Sequence, residues 1–195
     1  MANADRKHFE SYRAQTRAKH TILEKYIVAY FNIMKGMNEQ NLVYIDGFAG
    51  RGTYDSGDGH LVPGSPLRAL EKIASRPDLA TKVSTVFIER DGDFYAELKT
   101  VVHSFYHQNT HIRQPVVENG SFAEKMNDVL NTLEQTGRTI APAFVFVDPC
   151  GVDGVEFGVI SRLLRNQRRC EVFLFFNIEG VRRILGLKDK MGPTL

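Results

Sequence analysis

The chain has 195 residues, of which 43% are hydrophobic and 25% charged, enough for one α/β domain with a real core and too apolar for a disordered or fibrous protein. The formal net charge of +2 is nearly neutral, so a nucleic-acid partner has to be argued from local patches. Two cysteines without a CxxC pair argue against a cysteine-built zinc site and fit a reducing cytoplasm, and no apolar run is long enough for a signal peptide or a membrane span.

The polar stretch Arg6 to Arg17 predicts a short leading helix. From His20 to Met34 the apolar residues Ile22, Leu23, Tyr26, Ile27, Tyr30, Phe31 and Met34 keep helical spacing, and Gly36 supplies a stop. Residues 1–40 therefore read as a helical segment packed on the α/β domain of residues 41–195. Leu42 to Ile45 reads as a buried strand ending at Asp46, followed by a loop from Gly47 to Gly64 with glycines at 47, 50, 52, 57, 59 and 64. Ser65-Pro66 has the form of an N-cap and a first-turn proline, opening a helix to about Ser75. Further strands are expected at Val83–Ile88, Ile112–Val117, Ala143–Val147 and Val172–Phe176. Helices are expected at Asp91–Tyr106, Phe122–Leu133 and Phe157–Asn166. Strands alternating with helices imply βαβ units and a parallel sheet, whose ligands bind beyond the carboxyl ends of the strands.

Three strands end in a carboxylate: Asp46, Glu89 and Asp148. The run Tyr44-Ile45-Asp46-Gly47-Phe48-Ala49-Gly50-Arg51-Gly52 is the most informative. It lacks the Gly-Lys-Ser/Thr of a P-loop, and Asp55 stands where a dinucleotide fingerprint needs its third glycine, which argues against a nicotinamide enzyme. An Asp-x-x-x-Gly-x-Gly turn suits S-adenosylmethionine (SAM), which carries no phosphate and needs close backbone approach and a carboxylate. A ligand-free glycine turn is the competing reading.

Glu89 can accept both ribose hydroxyls of a nucleoside or close a solvated turn; Asp91 fits a helix cap better. In Asn119-Gly120-Ser121-Phe122, polar side chains could read an adenine, although Ser121 is also a good N-cap. Asp148-Pro149 matches the start of the Asp/Asn-Pro-Pro-aromatic motif of amino-methyltransferases, in which the carboxylate orients an amine toward the sulfonium methyl. Cys150 and Gly151 replace the rest of that motif, leaving Phe157 as a stand-in for the stacking ring. The alternative is that Asp148 only stabilises the turn. Cys150 reads as a structural thiol, Lys19-His20 as a surface pair unless the helix covers a cofactor, and Arg162, Arg165, Arg168 and Arg169 as a solvated face.

Together these residues resemble the three-Cys-motif partner family. The pieces are Lys19-His20-x-Ile22-Leu23-x-x-Tyr26, Asp46-Gly47-Phe48-Ala49-Gly50-x-Gly52, Gly64-Ser65-Pro66-Leu67-x-Ala69-Leu70, Phe87-Ile88-Glu89 and Phe146-Val147-Asp148-Pro149-x-Gly151. The pattern is similar, more distantly, to bacterial enzymes that methylate adenine N6 in large-subunit ribosomal RNA. The resemblance implies a Rossmann-like SAM-methyltransferase sheet with helices on both faces, and SAM as cofactor. It implies cofactor contacts near Lys19, Asp46, Ser65 and Glu89, with Asp148 at the reacting amine. The reading of the turns adds Gly47, Phe48, Gly50, Gly52, Asn119 and Ser121 as candidate cofactor contacts and Pro149 beside the amine. A nucleic-acid substrate and a cysteine-rich, iron–sulfur-type partner protein are the implied partners. The alternative expectation is a non-catalytic module that keeps the fold and serves that partner. A complete fold of this kind adds two strands after the fifth, so the chain is expected to be a truncated piece, a gene fragment or a naturally shortened copy.

Overall fold

The computed structural model describes residues 2–55, 60–149, 154–166, 169–175 and 186, with the side chains of the first helix described from residue 16 onward. One helix, α1 (Ala2–Gly36), replaces the two predicted, because nothing between Arg17 and His20 breaks the helical backbone. The helix ends at Gly36, but the left-handed residue is Asn38 at φ 63°, where a side chain that tolerates this region turns the chain. Leu23, Ile27, Tyr30, Phe31 and Met34 bury one face of α1 against the domain, each contributing about 1.5–3 kcal/mol.

The remaining elements follow in chain order: β1 (Leu42–Asp46), β2 (Thr53–Asp55), β3 (Leu61–Pro63), α2 (Ser65–Ala74), α3 (Pro77–Ala80), β4 (Val83–Glu89), α4 (Gly92–Gln108), β5 (Val116–Asn119), α5 (Phe122–Gln135), β6 (Ala143–Val147), α6 (Phe157–Asn166) and β7 (Cys170–Leu174). Five strands form a parallel sheet in the order β5-β4-β1-β6-β7. From β1 the chain winds outward through β4 to β5, then returns to β6 on the other side of β1. The order therefore reverses beside β1, the position where open α/β sheets form a ligand crevice.

Two cores flank the sheet. Leu42, Tyr44, Phe87 and Phe146 face α1, α2 and α4, while Ile45, Ile88, Val145 and Val147 face α5 and α6. Helices thus cover both faces, and the architecture is a mixed α/β domain compatible with a Rossmann-like fold.

Four expectations need correction. The Gly47–Gly64 loop contains the antiparallel hairpin β2–β3, too short to leave a period-two signal. The four-residue helix α3 was equally invisible. The third strand is Val116–Asn119, not Ile112–Val117: Pro115 has no N–H for a ladder, and Ile112 plugs the core instead. The fifth strand is Cys170–Leu174, and its expected end at Phe176 lies outside the described residues.

Candidate functional site

Register places the three strand-end carboxylates on one face. Asp46 pairs with Phe87 on β4 and with Phe146 on β6. Glu89 and Asp148 each follow two residues later, so the pleat returns them to the side of the sheet that carries Asp46. Their proximity shows in the charge balance of Asp46. This carboxyl is 0% exposed, and burial is the main cause that pushes its pKa up to about 7, with Asp148 and Glu89 adding to the rise. The Ser65 hydroxyl and the Phe48 N–H oppose that rise by stabilising the anion. Phe48 N–H donates to Asp46 Oδ1 at 3.2 Å, whereas Oδ2 has no partner. The hydroxyls of Tyr44 and Thr85, on the same face, are also buried and unpartnered.

Glu89 ties the glycine loop to the second strand. Its Oε2 accepts from Gly50 N–H at 2.7 Å and its Oε1 from Asp91 N–H at 2.7 Å. A carboxylate has about four acceptor sites, so capacity remains for a ligand hydroxyl on each oxygen.

The glycines divide by role. A Cβ on Gly47 would stand 2.4 Å from the Phe122 ring, so this glycine serves packing on α5. Gly52, at φ 83°, is pressed against Val101 and Leu98 of α4. Gly50 is left-handed at φ 61°, and nothing lies within 4 Å of where its Cβ would be. Of the three, Gly50 alone offers backbone to an approaching ligand. Phe48 packs its ring against Phe122 at 5.8 Å.

Asp148 is engaged from α1. Lys19 Nζ donates to Asp148 Oδ1 at 2.7 Å and to Oδ2 at 3.0 Å, and both side chains are 24% exposed. The same ammonium lies 4.3 Å from the centre of the Phe175 ring. Phe175 is beside Asp148 because β6 and β7 run in register, with Val147 opposite Leu174 and Phe175 N–H donating to Val147 O at 2.8 Å. Pro149 is buried directly after Asp148, and Cys150 and Gly151 lie outside the described residues.

Several expectations change. Lys19 and His20 are not a surface pair: His20 is 6% exposed, its ring 5.9 Å from that of Tyr54, and burial, then Arg68, lower its pKa to about 4. Ser65 is not the N-cap. Gly64 holds that place, and Ser65 is a buried first-turn residue that faces Asp46. Asn119 is the last residue of β5, and its amide donates to Glu89 O at 2.9 Å and Arg90 O at 3.3 Å. Ser121 caps α5 by accepting from Glu124 N–H at 3.1 Å, and Asp91 caps α4. Asn119 and Ser121 thus carry backbone bonds at the carboxyl end of the sheet. Phe157 is 64% exposed, and the ring at the Lys19–Asp148 pair is that of Phe175. The arginine group disperses: Arg162 binds Asn127, Asn131 and Glu134, Arg169 binds Glu39, and Arg168 lies outside the described residues.

Thr85 and Phe175 are the residues here that sequence reasoning did not single out, and His20, read as a surface residue, is buried. Only Phe175 had a signal, since aligning the ends of the fourth and fifth strands puts it next to Asp148. No cluster of three or more histidine, cysteine or acidic side chains suited to a metal occurs among the described residues, and no helix there is long and apolar enough to cross a membrane. No family model and no curated protein matches the chain.

Proposed function

We propose that this chain is a SAM-binding domain of the methyltransferase type, related to the three-Cys-motif partner family, that acts on an amino group positioned at Asp148. The convergence of Asp46, Glu89 and Asp148 on one face beside β1 carries this reading. Both other carboxylates lie near enough to Asp46 to raise its pKa, which supports a shared ligand-facing end of the sheet.

The residues present suit the cofactor. Asp46 keeps a buried oxygen without a partner, Gly50 has open space and a left-handed backbone, and Glu89 retains acceptor capacity. Asp46 and the Gly50 turn would hold the ligand, with Glu89 accepting from its ribose hydroxyls. When bound, SAM supplies an electrophilic methyl on a sulfonium centre. Asp148 would hold the acceptor nitrogen by accepting its N–H, which aims the lone pair and limits rotation.

A second reading has its own support. The Lys19 ammonium already occupies Asp148, as it would in a module that keeps the fold without catalysis and acts with a cysteine-rich partner. Labelled SAM incubated with the full chain and cellular RNA, DNA or small amines separates the two. Label transfer abolished by Asp148→Ala, with SAM binding retained, supports the enzyme. SAM binding without transfer to any acceptor supports the module. Absence of SAM binding overturns the methyltransferase reading.

A further inference from the structure

Among the described lysines, Lys19 is the one whose ammonium meets both a carboxylate and an aromatic face. The ion pairs of Lys35 with Asp78, Lys72 with Glu24 and Lys125 with Glu118 have no ring beside them, and Lys99 over Tyr95 has no carboxylate. At Asp148 the cation donates two charge-assisted hydrogen bonds, at 2.7 and 3.0 Å, and the Phe175 ring offers its negative face from another side. Phe175 and Asp148 come from adjacent strand ends of a rigid parallel sheet, so their spacing is preset. Lys19 reaches them from a helix 129 residues distant in sequence, on a flexible four-carbon stem. The sheet thus presets one half of the arrangement, and the helix contributes the ammonium that meets it. α1 does not need this contact to stay docked, because five large apolar side chains bury its inner face.

We propose that Asp148 and the Phe175 ring form a subsite for an organic ammonium group, which Lys19 fills in the free chain and which an incoming aliphatic amine takes over by displacing Lys19. The subsite does not rest on the reading above; under that reading the bound ammonium first passes a proton to the Asp148 carboxylate, which frees the lone pair that takes the methyl. A carboxylate and a ring face select a compact cation over the neutral exocyclic amine of a nucleobase.

Lys19→Ala removes the atoms of propylammonium, so that cation is the probe. Titration of the folded full-length variant, followed by calorimetry and by aromatic NMR signals of Phe175, should show saturable binding that wild type lacks. 1-Propanol should not bind. Adding Asp148→Asn should abolish the binding, and adding Phe175→Leu should weaken it about fivefold. Lys19→Ser serves the same test if Lys19→Ala does not fold. A folded variant that takes up no propylammonium, or binds it equally well with Asp148→Asn, overturns the proposal. SAM titrated into the same variant keeps the two ideas apart. Retained SAM affinity without propylammonium binding removes the subsite alone, and propylammonium binding without SAM affinity removes the methyltransferase reading alone.

Discussion

At the amino end of the sheet, polar groups meet partners. Arg113 donates to Thr81 O at 2.6 Å, Ser84 Oγ at 3.2 Å and Asn41 Oδ1 at 2.9 Å, closing the strand starts. Nearby, Arg76 and Lys35 both hold Asp78, whose carboxyl stays below the usual carboxylate range. The carboxyl end is built differently. Three acids crowd one face, one of them carries a buried oxygen without a partner, and the Asp46 pKa moves toward neutrality. A buried carboxylate oxygen left without a partner costs stability, so the strand end that carries Asp46 is where a ligand donor would have most to satisfy.

The sharpest way to break this contrast is to truncate one group at each end. Glu89→Ala should cost about 2–5 kcal/mol of SAM binding, because a ligand hydroxyl would lose a charged acceptor. Arg113→Ala should leave SAM affinity unchanged while lowering unfolding free energy by about 1–3 kcal/mol in urea titrations. Equal effects of the two on binding would erase the distinction.

A second test uses pH. The raised pKa of Asp46 means that, between about 4 and 7, the folded chain holds a proton the unfolded chain has released, so its contribution to stability falls as pH rises. The lowered pKa of His20 does the reverse: between about 4 and 6.5 the unfolded chain binds the extra proton, and stability rises with pH. Each swing is on the order of 3–4 kcal/mol, so the two nearly cancel across the shared window. Asp46→Asn should therefore be more stable than wild type above pH 7, with stability climbing from pH 4 to 6.5. His20→Gln should instead lose stability over that range. Unfolding curves at several pH values check both slopes.

Smaller effects sharpen the division among the glycines. Gly52→Ala combines a left-handed backbone with contacts to α4 and should cost about 2–4 kcal/mol. Gly50→Ala meets open space and should cost only about 1–2 kcal/mol, while weakening SAM binding more than Gly52→Ala does. Ser121→Ala should cost about 1 kcal/mol of stability and nothing in ligand affinity, since its hydroxyl serves as a cap.

Much of the sheet was legible in the sequence because buried parallel strands are continuous apolar runs with sharp ends. Ala143–Val147 and Phe157–Asn166 were read to the residue. Asp46, Glu89 and Asp148 were found because each terminates such a run. What the sequence concealed is tertiary. Nothing around Lys19 marks its bond to the carboxylate that follows β6, and the burial of His20 beside Tyr54 of the hairpin is a tertiary contact. Asn119 and Ser121 were ambiguous for a different reason: their residue types serve ligand contacts and backbone bonds equally well, and the structure shows the backbone bonds.

The central claim is that the turns after β1 and β4 hold an adenosyl ligand between Asp46 and Glu89. Calorimetric titration of SAM into the full chain, with Glu89→Ala, Asp46→Ala and Arg113→Ala alongside, tests it directly. The account expects one-site saturable heat in wild type and Arg113→Ala, and its loss in the other two at native circular dichroism. No saturable heat in wild type, or one affinity shared by all four proteins, would contradict it.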